Sequence, residues 1–395
     1  MENNTSHSQR HPVLFHGRAG EYFSIWLVNA LLTMVTLGIY SAWATVRRRR
    51  YFYGNTEIAG DRFDYHARPI NLLIGRVIVF IGLLLFFIIS SISPTLTLFA
   101  MLAFFALIPW IVIRSWRYNA LMSSFRGVRF NYHCRIGRAY WTMYLAPVLM
   151  ILALLLVVGM IGAAGATSGN ISTTMTVGVI CFVLYLVGLA AIQGTVAALN
   201  HDLYINNMAF GQLSFKAELS KKTFIKMVLI SFLIMLPFLI IGGLLIGSLF
   251  ASIIYASAMG VSDPEMLGNM MAGNVLNIFL TFLVILFGGL VSSAYLVVAQ
   301  RNYVFGQTRL GDKLRLKSTL STGAFLALTL TNTLIVIFTL GLGAPIAEIR
   351  LARYLANSTE LEGDISLDEV MAHHDSARTA VAEEVVSAFD LNAGI

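Results

Sequence analysis

Four stretches of this chain, 77–113, 142–200, 227–262 and 266–300, contain almost no ionisable side chain. An apolar run of about 18 residues is long enough to cross a bilayer, and the last three approach or exceed twice that length. Composition agrees: the 395 residues are 57% hydrophobic and only 12% charged, against about 25% charged in soluble proteins. Such a chain cannot cover a water-facing surface with polar groups. The fold class expected is an α-helical polytopic membrane protein.

The net charge of +7 is arranged for topology, not for nucleic acid. Lys and Arg are confined to the N-terminal tail, 47–68, Arg76, 114–138, 216–226, 301–317 and 350–378. The loops around 90–96, 163–174 and 251–274 carry none. Cytoplasmic loops collect Lys and Arg, so the basic blocks are expected to face the cytoplasm, both termini with them. The polar opening MENNTSHSQRHP lacks the charged–apolar–cleavage order of a secretory signal, leaving insertion to the first apolar helix. Cys134 and Cys181 are too few and too far apart for a disulfide framework or a CxxC zinc site.

Between the basic blocks the apolar runs read as helix pairs: 71–92 with 95–116, 140–164 with 173–199, and 224–252 with 274–299. These are six spans. The terminal segments 22–46 and 323–346 could each cross once, but a single crossing at either end would break the charge rule. A repeat offers another reading. Residues 36–61, TLGIYSAWATVRRRRYFYGNTEIAGD, and 339–364, TLGLGAPIAEIRLARYLANSTELEGD, match at eleven of twenty-six positions with an offset of 303. Average usage predicts about one or two matches. Each terminal segment has a Thr-Leu-Gly at its centre, and glycine after helix formers is a common stop. Both are therefore expected to be re-entrant helical hairpins; eight full spans is the alternative. All five tryptophans lie near the cytoplasmic ends of helices, as an interfacial belt would.

After each inward-going helix comes a glycine followed by strand-like alternation: TEIAGDRFDYH (56–66), SFRGVRFNYH (124–133), MAFGQLSFK (208–216), TRLGDKLRLK (308–317) and TELEGDISLD (359–368). Gly60, Gly127, Gly211, Gly311 and Gly363 are the expected hairpin turns, with glycine at the first central position of a type II′ turn. The glycine offset varies by one between copies. Val13-Leu14-Phe15-His16 resembles Phe63-Asp64-Tyr65-His66 in its ending. One hairpin is marginal alone, so five are expected to assemble into a cytoplasmic platform. The domain reading is a membrane domain over 1–356, built of five helix-pair and hairpin units (approximately 13–66, 71–133, 140–216, 224–317 and 323–368), and an acidic flexible tail over 369–395.

FHGRAGEYF (15–23), NALLTMVTLGIYSAWATVRRRRY (29–51) and IAGDRFDYH (58–66) together resemble the YjgN-like family of bacterial inner-membrane proteins (domain of unknown function 898). The resemblance implies a multi-pass protein of the bacterial inner membrane and brings no catalytic residues with it.

Upstream of the hairpins stand basic-aromatic joins, Arg50-Tyr51, Arg117-Tyr118, Arg301 with Tyr303, and Arg353-Tyr354. An arginine there meets the negative end of a helix dipole and can snorkel to lipid phosphate; a ring of them could hold an anionic ligand or head group. Polar groups inside membrane segments are functional candidates by default: Asn29, Arg76, Gln193 and Asn332. Glu348 is expected to pair with Arg350–Arg353. Small residues at Gly243-Gly247-Ala251 and Gly288-Ser292 suit close helix packing. GLGAPI (341–346) reads as a helix break. His201-Asp202 and His373-His374-Asp375 lack distant metal-ligating partners, so no metal or cofactor is expected. With no nucleophile beside a base and no Walker motif, an enzyme is not expected either. Two functions remain: a transporter or conduit for a small or lipid-like, anionic solute, and a scaffold whose hairpins bind a cytoplasmic protein partner or membrane lipid head groups. The oligomeric state is left open.

Overall fold

The alternating segments pair as antiparallel strands because one face of each is apolar and must be covered. The computed structural model describes residues 10–167, 169–258, 272–311 and 314–363, together with Glu265 and Gly268. Its hairpins are β2 (Thr56–Ile58) with β3 (Asp61–Tyr65), β4 (Ser123–Phe125) with β5 (Val128–Tyr132), β6 (Met208–Phe210) with β7 (Leu213–Ala217), and β8 (Thr308–Leu310) with β9 (Leu314–Ser318). Together with β1 (Arg10–Phe15) and β10 (Thr359–Gly363) they form a closed barrel in the order β1-β10-β9-β8-β7-β6-β5-β4-β3-β2. The expected platform is thus a barrel without free edges, the arrangement that leaves no unpaired strand open to aggregation.

Closure corrects the fifth hairpin. β10 pairs with β9 on one side and with β1 on the other, Arg10 facing Glu362 and Pro12 facing Glu360. Both edges are occupied, so Gly363 ends a strand at Leu314 instead of turning a hairpin. Residues 364–368, and the acidic tail, lie outside the described residues. The turns differ as well. Ile58 faces Asp61 and Phe125 faces Val128, which puts Gly60 and Gly127 second. Both central residues have positive φ, Ala59 +50° with Gly60 +87° and Arg126 +51° with Gly127 +77°, the type I′ pattern and not the expected II′. Gly211, with φ +56° between Phe210 and Leu213, does take the first central position. At Gly311 the pairing of Leu310 with Leu314 leaves a three-residue loop.

Five pairs in matching register fill the lumen: Val13–Ile58, Phe63–Phe125, Phe130–Phe210, Phe215–Leu310 and Leu316–Leu361. Eight strands leave room for ordinary side chains; ten need more, and here phenyl rings supply it. Phe63 packs tilted against Phe125 at 4.8 Å, Phe130 against Phe210 at 4.9 Å, and Phe125 meets Phe210 at 6.3 Å. The outer face is charged and paired: Arg126 with Asp61 (2.5 Å), His16 with Glu57 (2.9 Å), and Lys317 with Glu362 (3.1 Å). Apolar inside and charged outside, with strands of three to six residues, this barrel is built for water, since a membrane barrel needs strands of about nine to eleven residues with the opposite facing.

Long strands end and short strands begin at the same rim, so every helix leaves from that rim. They are α1 (Ala19–Val35), α2 (Ser41–Gly54), α3 (Pro69–Ile92), α4 (Pro94–Met122), α5 (Ile136–Ala166), α6 (Ile171–Ile205), α7 (Lys221–Ala258), α8 (Val275–Gln307), α9 (Thr322–Phe338) and α10 (Ala344–Asn357). Six of them, α3 to α8, are long and apolar enough to cross a membrane. Each helix packs on its neighbours in sequence, and α1 packs on α10, which closes the circle.

α1–α2 and α9–α10 are tight helical hairpins. Thr36 Oγ1 accepts from Tyr40 N (2.9 Å), and Thr339 Oγ1 accepts from Gly343 N (2.7 Å). Leu37 (φ +51°) with Gly38 (+93°), and Leu340 (+50°) with Gly341 (+90°), make the same left-handed reversal. The 36–61 and 339–364 likeness is, at its start, the likeness of these two turns. Leu37 and Leu340 stand 94% and 93% exposed at the tips.

Close packing is concentrated where glycine permits it. A Cβ on Gly194 would lie 2.6 Å from the Ile225 Cα, and one on Gly288 2.5 Å from the Phe238 ring. Gly243 and Gly247 face open space, so the expected small-residue stripe on α7 is not its packing face. The neighbouring Gly242, against Thr281 and Ile285, is. Pro109 in α4 lacks the N–H that the Phe105 carbonyl would normally accept from. A π-helical turn at Trp141–Leu145 in α5 turns two tyrosines towards that gap: Tyr144 donates to Phe105 O, and Tyr140 to Ala106 O at 2.5 Å. Two side chains thus satisfy backbone groups that lipid could not.

Candidate functional site

The basic-aromatic joins sit where helices meet the barrel rim, and in most of them the tyrosine hydroxyl or the guanidinium bonds backbone. The Tyr51 hydroxyl lies 2.8 Å from Arg18 N and 3.0 Å from Arg18 O, at the start of α1. Tyr303 accepts from Ser220 N before α7 (2.9 Å), and Tyr354 bridges Ser321 N and O before α9. Tyr118 is buried against Ala67 and Leu72 at the start of α3. Each tyrosine therefore ties the second helix of a pair to the entry of the first. Burial raises the Tyr51 hydroxyl above the usual phenol range, so it stays a neutral donor.

The cationic partners reach forward instead. Arg50 donates to Tyr65 O (3.3 Å) and Ala67 O (3.0 Å) beyond β3, and Arg353 to Gly17 O (3.0 Å) beyond β1. Asn302, six residues before β8 as Arg50 is before β2, bonds Leu320 O, and Asn206, two residues before β6, bonds Ala217 O at the end of β7. Arg301 instead bonds Thr359 and covers the Phe305 ring at 4.4 Å. These contacts position strands.

Of the intramembrane candidates, Asn332 and Arg76 find local partners. Asn332 donates to Ala347 O and accepts from Arg350 at 2.8 Å, fastening α9 to α10. Asn29 is buried, and its carbonyl oxygen has no hydrogen-bond partner. Arg76 donates to Ser41 and Thr45 on α2. Gln193 is exposed beside Gly194. Glu348 does not pair with Arg350 or Arg353. It accepts from Tyr22 at 2.7 Å and faces Arg48 at 3.9 Å. Asp202 is engaged by Arg138 at 2.6 Å, and among the described residues no cluster of three metal-ligating side chains occurs.

Sequence reasoning did not single out a cavity of about 380 Å³ on the helix side of the aromatic plug. Arg49, Tyr53, Trp116, Asn119 and Tyr204 line it from the ends of α2, α4 and α6, over a floor of Phe63 and Phe130. Arg49 donates to Tyr65 Oη (2.7 Å) and Asn119 Oδ1 (2.6 Å). Residues 80–85 of α3 and 182–187 of α6 are exposed at every position, and six successive residues pass more than once round a helix. Phe80, Leu85 and Phe182 are 61%, 54% and 63% exposed. Apolar surface therefore lies exposed along both segments, although α6 stays packed on α5 at either end of its segment, Cys181 Sγ 3.6 Å from Val158 O and Gly188 against Leu154.

The model of the family described as "Bacterial protein of unknown function (DUF898)" matches residues 10–388. The chain is similar to the Inner membrane protein YjgN of Salmonella typhimurium LT2, 33% identical over 379 residues that cover 91% of this chain and 90% of that protein. It is also similar to the proteins of that name from Escherichia coli O157:H7 (30% identical, 90% and 89% covered) and Escherichia coli K12 (29%, 90% and 89%). No solved structure matches it.

Proposed function

Because this chain belongs to the DUF898 family and is, with its YjgN relatives, a multi-pass inner-membrane protein, we propose that it is a conduit for a lipid-like, anionic solute. The observation that carries the reading is the unbroken apolar exposure of residues 80–85 of α3 and 182–187 of α6 beyond the barrel. Exposed apolar helix surface at membrane depth requires acyl chains against it, because water there would leave that surface unburied. The plug of Phe63, Phe125, Phe130 and Phe210 argues against a water-soluble solute passing along the barrel axis. In this reading the barrel and its basic rim face the cytoplasm, and α1–α2 and α9–α10 dip into the inner leaflet with Leu37 and Leu340 at their tips. No step of chemistry is assigned, and no cofactor.

The test is reconstitution of the full chain into vesicles containing a fluorescent anionic phospholipid. Movement of the probe between leaflets should exceed that in protein-free vesicles several-fold. Equal rates, together with an equal exchange of probe between vesicles, reject the conduit.

A second reading, a scaffold, draws on the charged outer face of the barrel, where Arg62, Arg129, Lys216 and Arg315 alternate with inward residues. It requires that a cytoplasmic protein co-purify with the intact chain and be lost when these four side chains are changed to Gln.

A further inference from the structure

We infer that the pocket between the barrel end of α4 and the β5–α5 connection binds the phosphate of an anionic phospholipid head group. The inference rests on the lipid reading above and gives it a place and a chemistry.

Arg117 stands six residues before β4, as Arg50 stands before β2 and Arg353 before β10. In those two copies the guanidinium closes on the strand exit, at Ala67 O and Gly17 O. Asn302 and Asn206 close the α8 and α6 copies. At α4 the clamp is open. Arg117 and the exit segment His133-Cys134-Arg135 line a cavity of about 400 Å³ together. The Arg117 Nε is shielded from solvent yet has no hydrogen-bond partner. An unpaired donor on a buried charge costs more than an ordinary lost hydrogen bond, so the position calls for an acceptor that the protein itself does not supply.

Charge and location specify that acceptor. Arg114, Arg117 and Arg135 line the pocket with Tyr132, His133 and Cys134, and no acidic side chain joins them. None of the three arginines pairs with an acid among the described residues; Asp202, on the adjoining helix end, is held by Arg138 at 2.6 Å. Arg114 lies over the Trp110 ring at 5.6 Å, leaving its donor edge available. Guanidinium groups match phosphate oxygens in pairs, which a point charge does not. The pocket lies at the ends of two membrane helices, with Ile136 (42% exposed) in its lining and Trp141 (51% exposed) five residues further along α5. Such a rim suits acyl chains leaving the phosphate, with Trp141 in the interfacial position that tryptophan favours. A phosphate free in water would gain nothing from that rim.

The experiment uses the full-length protein purified in detergent. Phosphatidylglycerol, phosphatidylcholine and inorganic phosphate are titrated separately, with bound lipid counted by native mass spectrometry. Arg114→Gln/Arg117→Gln/Arg135→Gln is expected to weaken phosphatidylglycerol binding at least tenfold. Arg129→Gln, on the outer barrel face, should change it less than twofold. Phosphatidylcholine should bind weakly to both, and millimolar inorganic phosphate should not displace the anionic lipid. Wild-type affinity in the triple variant overturns the inference, as does equal binding of the two lipids or full displacement by inorganic phosphate. Should the triple variant aggregate, Arg135→Gln alone, at an exposed position, is expected to lose about threefold, and no loss there overturns the inference equally. A phospholipid with a photoactivatable acyl chain separates the two levels of the argument. Crosslinks to the 80–85 segment with no head-group preference reject the pocket and leave the lipid reading intact; absence of both rejects both.

Discussion

Tyr22 on α1 donates a 2.7 Å hydrogen bond to Glu348 on α10 across 326 residues of chain. It joins the first helical hairpin to the last, with Arg48 of α2 behind the same carboxylate at 3.9 Å. A hydrogen bond to a charged acceptor is worth about 1.5–3 kcal/mol. Tyr22→Phe keeps the ring stack on Tyr51 (5.3 Å) and removes only the hydroxyl. It should lower the thermal midpoint in detergent by a few degrees, and Tyr22→Phe/Glu348→Gln should fall no further than the larger single effect. Additive losses would show that the two groups act separately.

The aromatic plug is a stability element. Phe125→Ala removes a ring that contacts Phe63 and Phe210, and large-to-small changes of this kind cost about 3–5 kcal/mol. Size-exclusion profiles after stepwise heating should show earlier loss of the monodisperse peak, while Arg129→Gln on the outer face should leave the profile unchanged.

Glycine contacts separate two helix faces that the sequence does not distinguish. Gly194→Leu drives a side chain into the Ile225 backbone and should markedly reduce folded yield, since overpacking costs about 1–3 kcal/mol or more. Gly243→Leu, facing open space, should express at wild-type level. Similar losses from both would contradict the α6–α7 contact.

The helical hairpins carry a topological prediction. On a Cys134→Ser/Cys181→Ser background, single cysteines at Leu37 and Leu340 should resist an impermeant maleimide applied to the periplasmic side, and a reporter fused after Ile395 should give a cytoplasmic signal. Labelling of either tip from the periplasm means that its helices cross the membrane.

Much of the secondary structure could be read from local pattern. Long apolar runs mark α3 to α8, and period-two alternation after glycine marks β3, β5, β7 and β9. What escaped was decided over distance. Ile365 and Leu367 alternate as well as Leu314 and Leu316 do, but β10 already has two neighbours, and only the likeness of Val13–His16 to Phe63–His66 pointed to β1. Whether glycine stands first or second in a turn depends on which residues face each other, hence the I′ turns at Gly60 and Gly127. Glu348 was assigned to near arginines because its partner Tyr22 is remote in sequence. Of the candidate site, Arg117 was visible as one join among several. That its clamp is the open one depends on where the β5 exit lies, which no residue type announces. Arg49, Trp116, Asn119 and Tyr204 carry no motif and converge only because three helices end at one rim.

The pairing of β1 with β10 also sets an order of events during synthesis. β1, the first of the ten strands in chain order, has one neighbour close in sequence, β2 at residues 56–58, and one remote, β10 at residues 359–363. All six long apolar helices are translated before β10 exists. Membrane insertion therefore precedes closure of the soluble part, and a nascent or truncated chain presents a β-sheet with two open edges. Unpaired edges of that kind are open to pairing with other chains, so the barrel is protected only once β10 has been made.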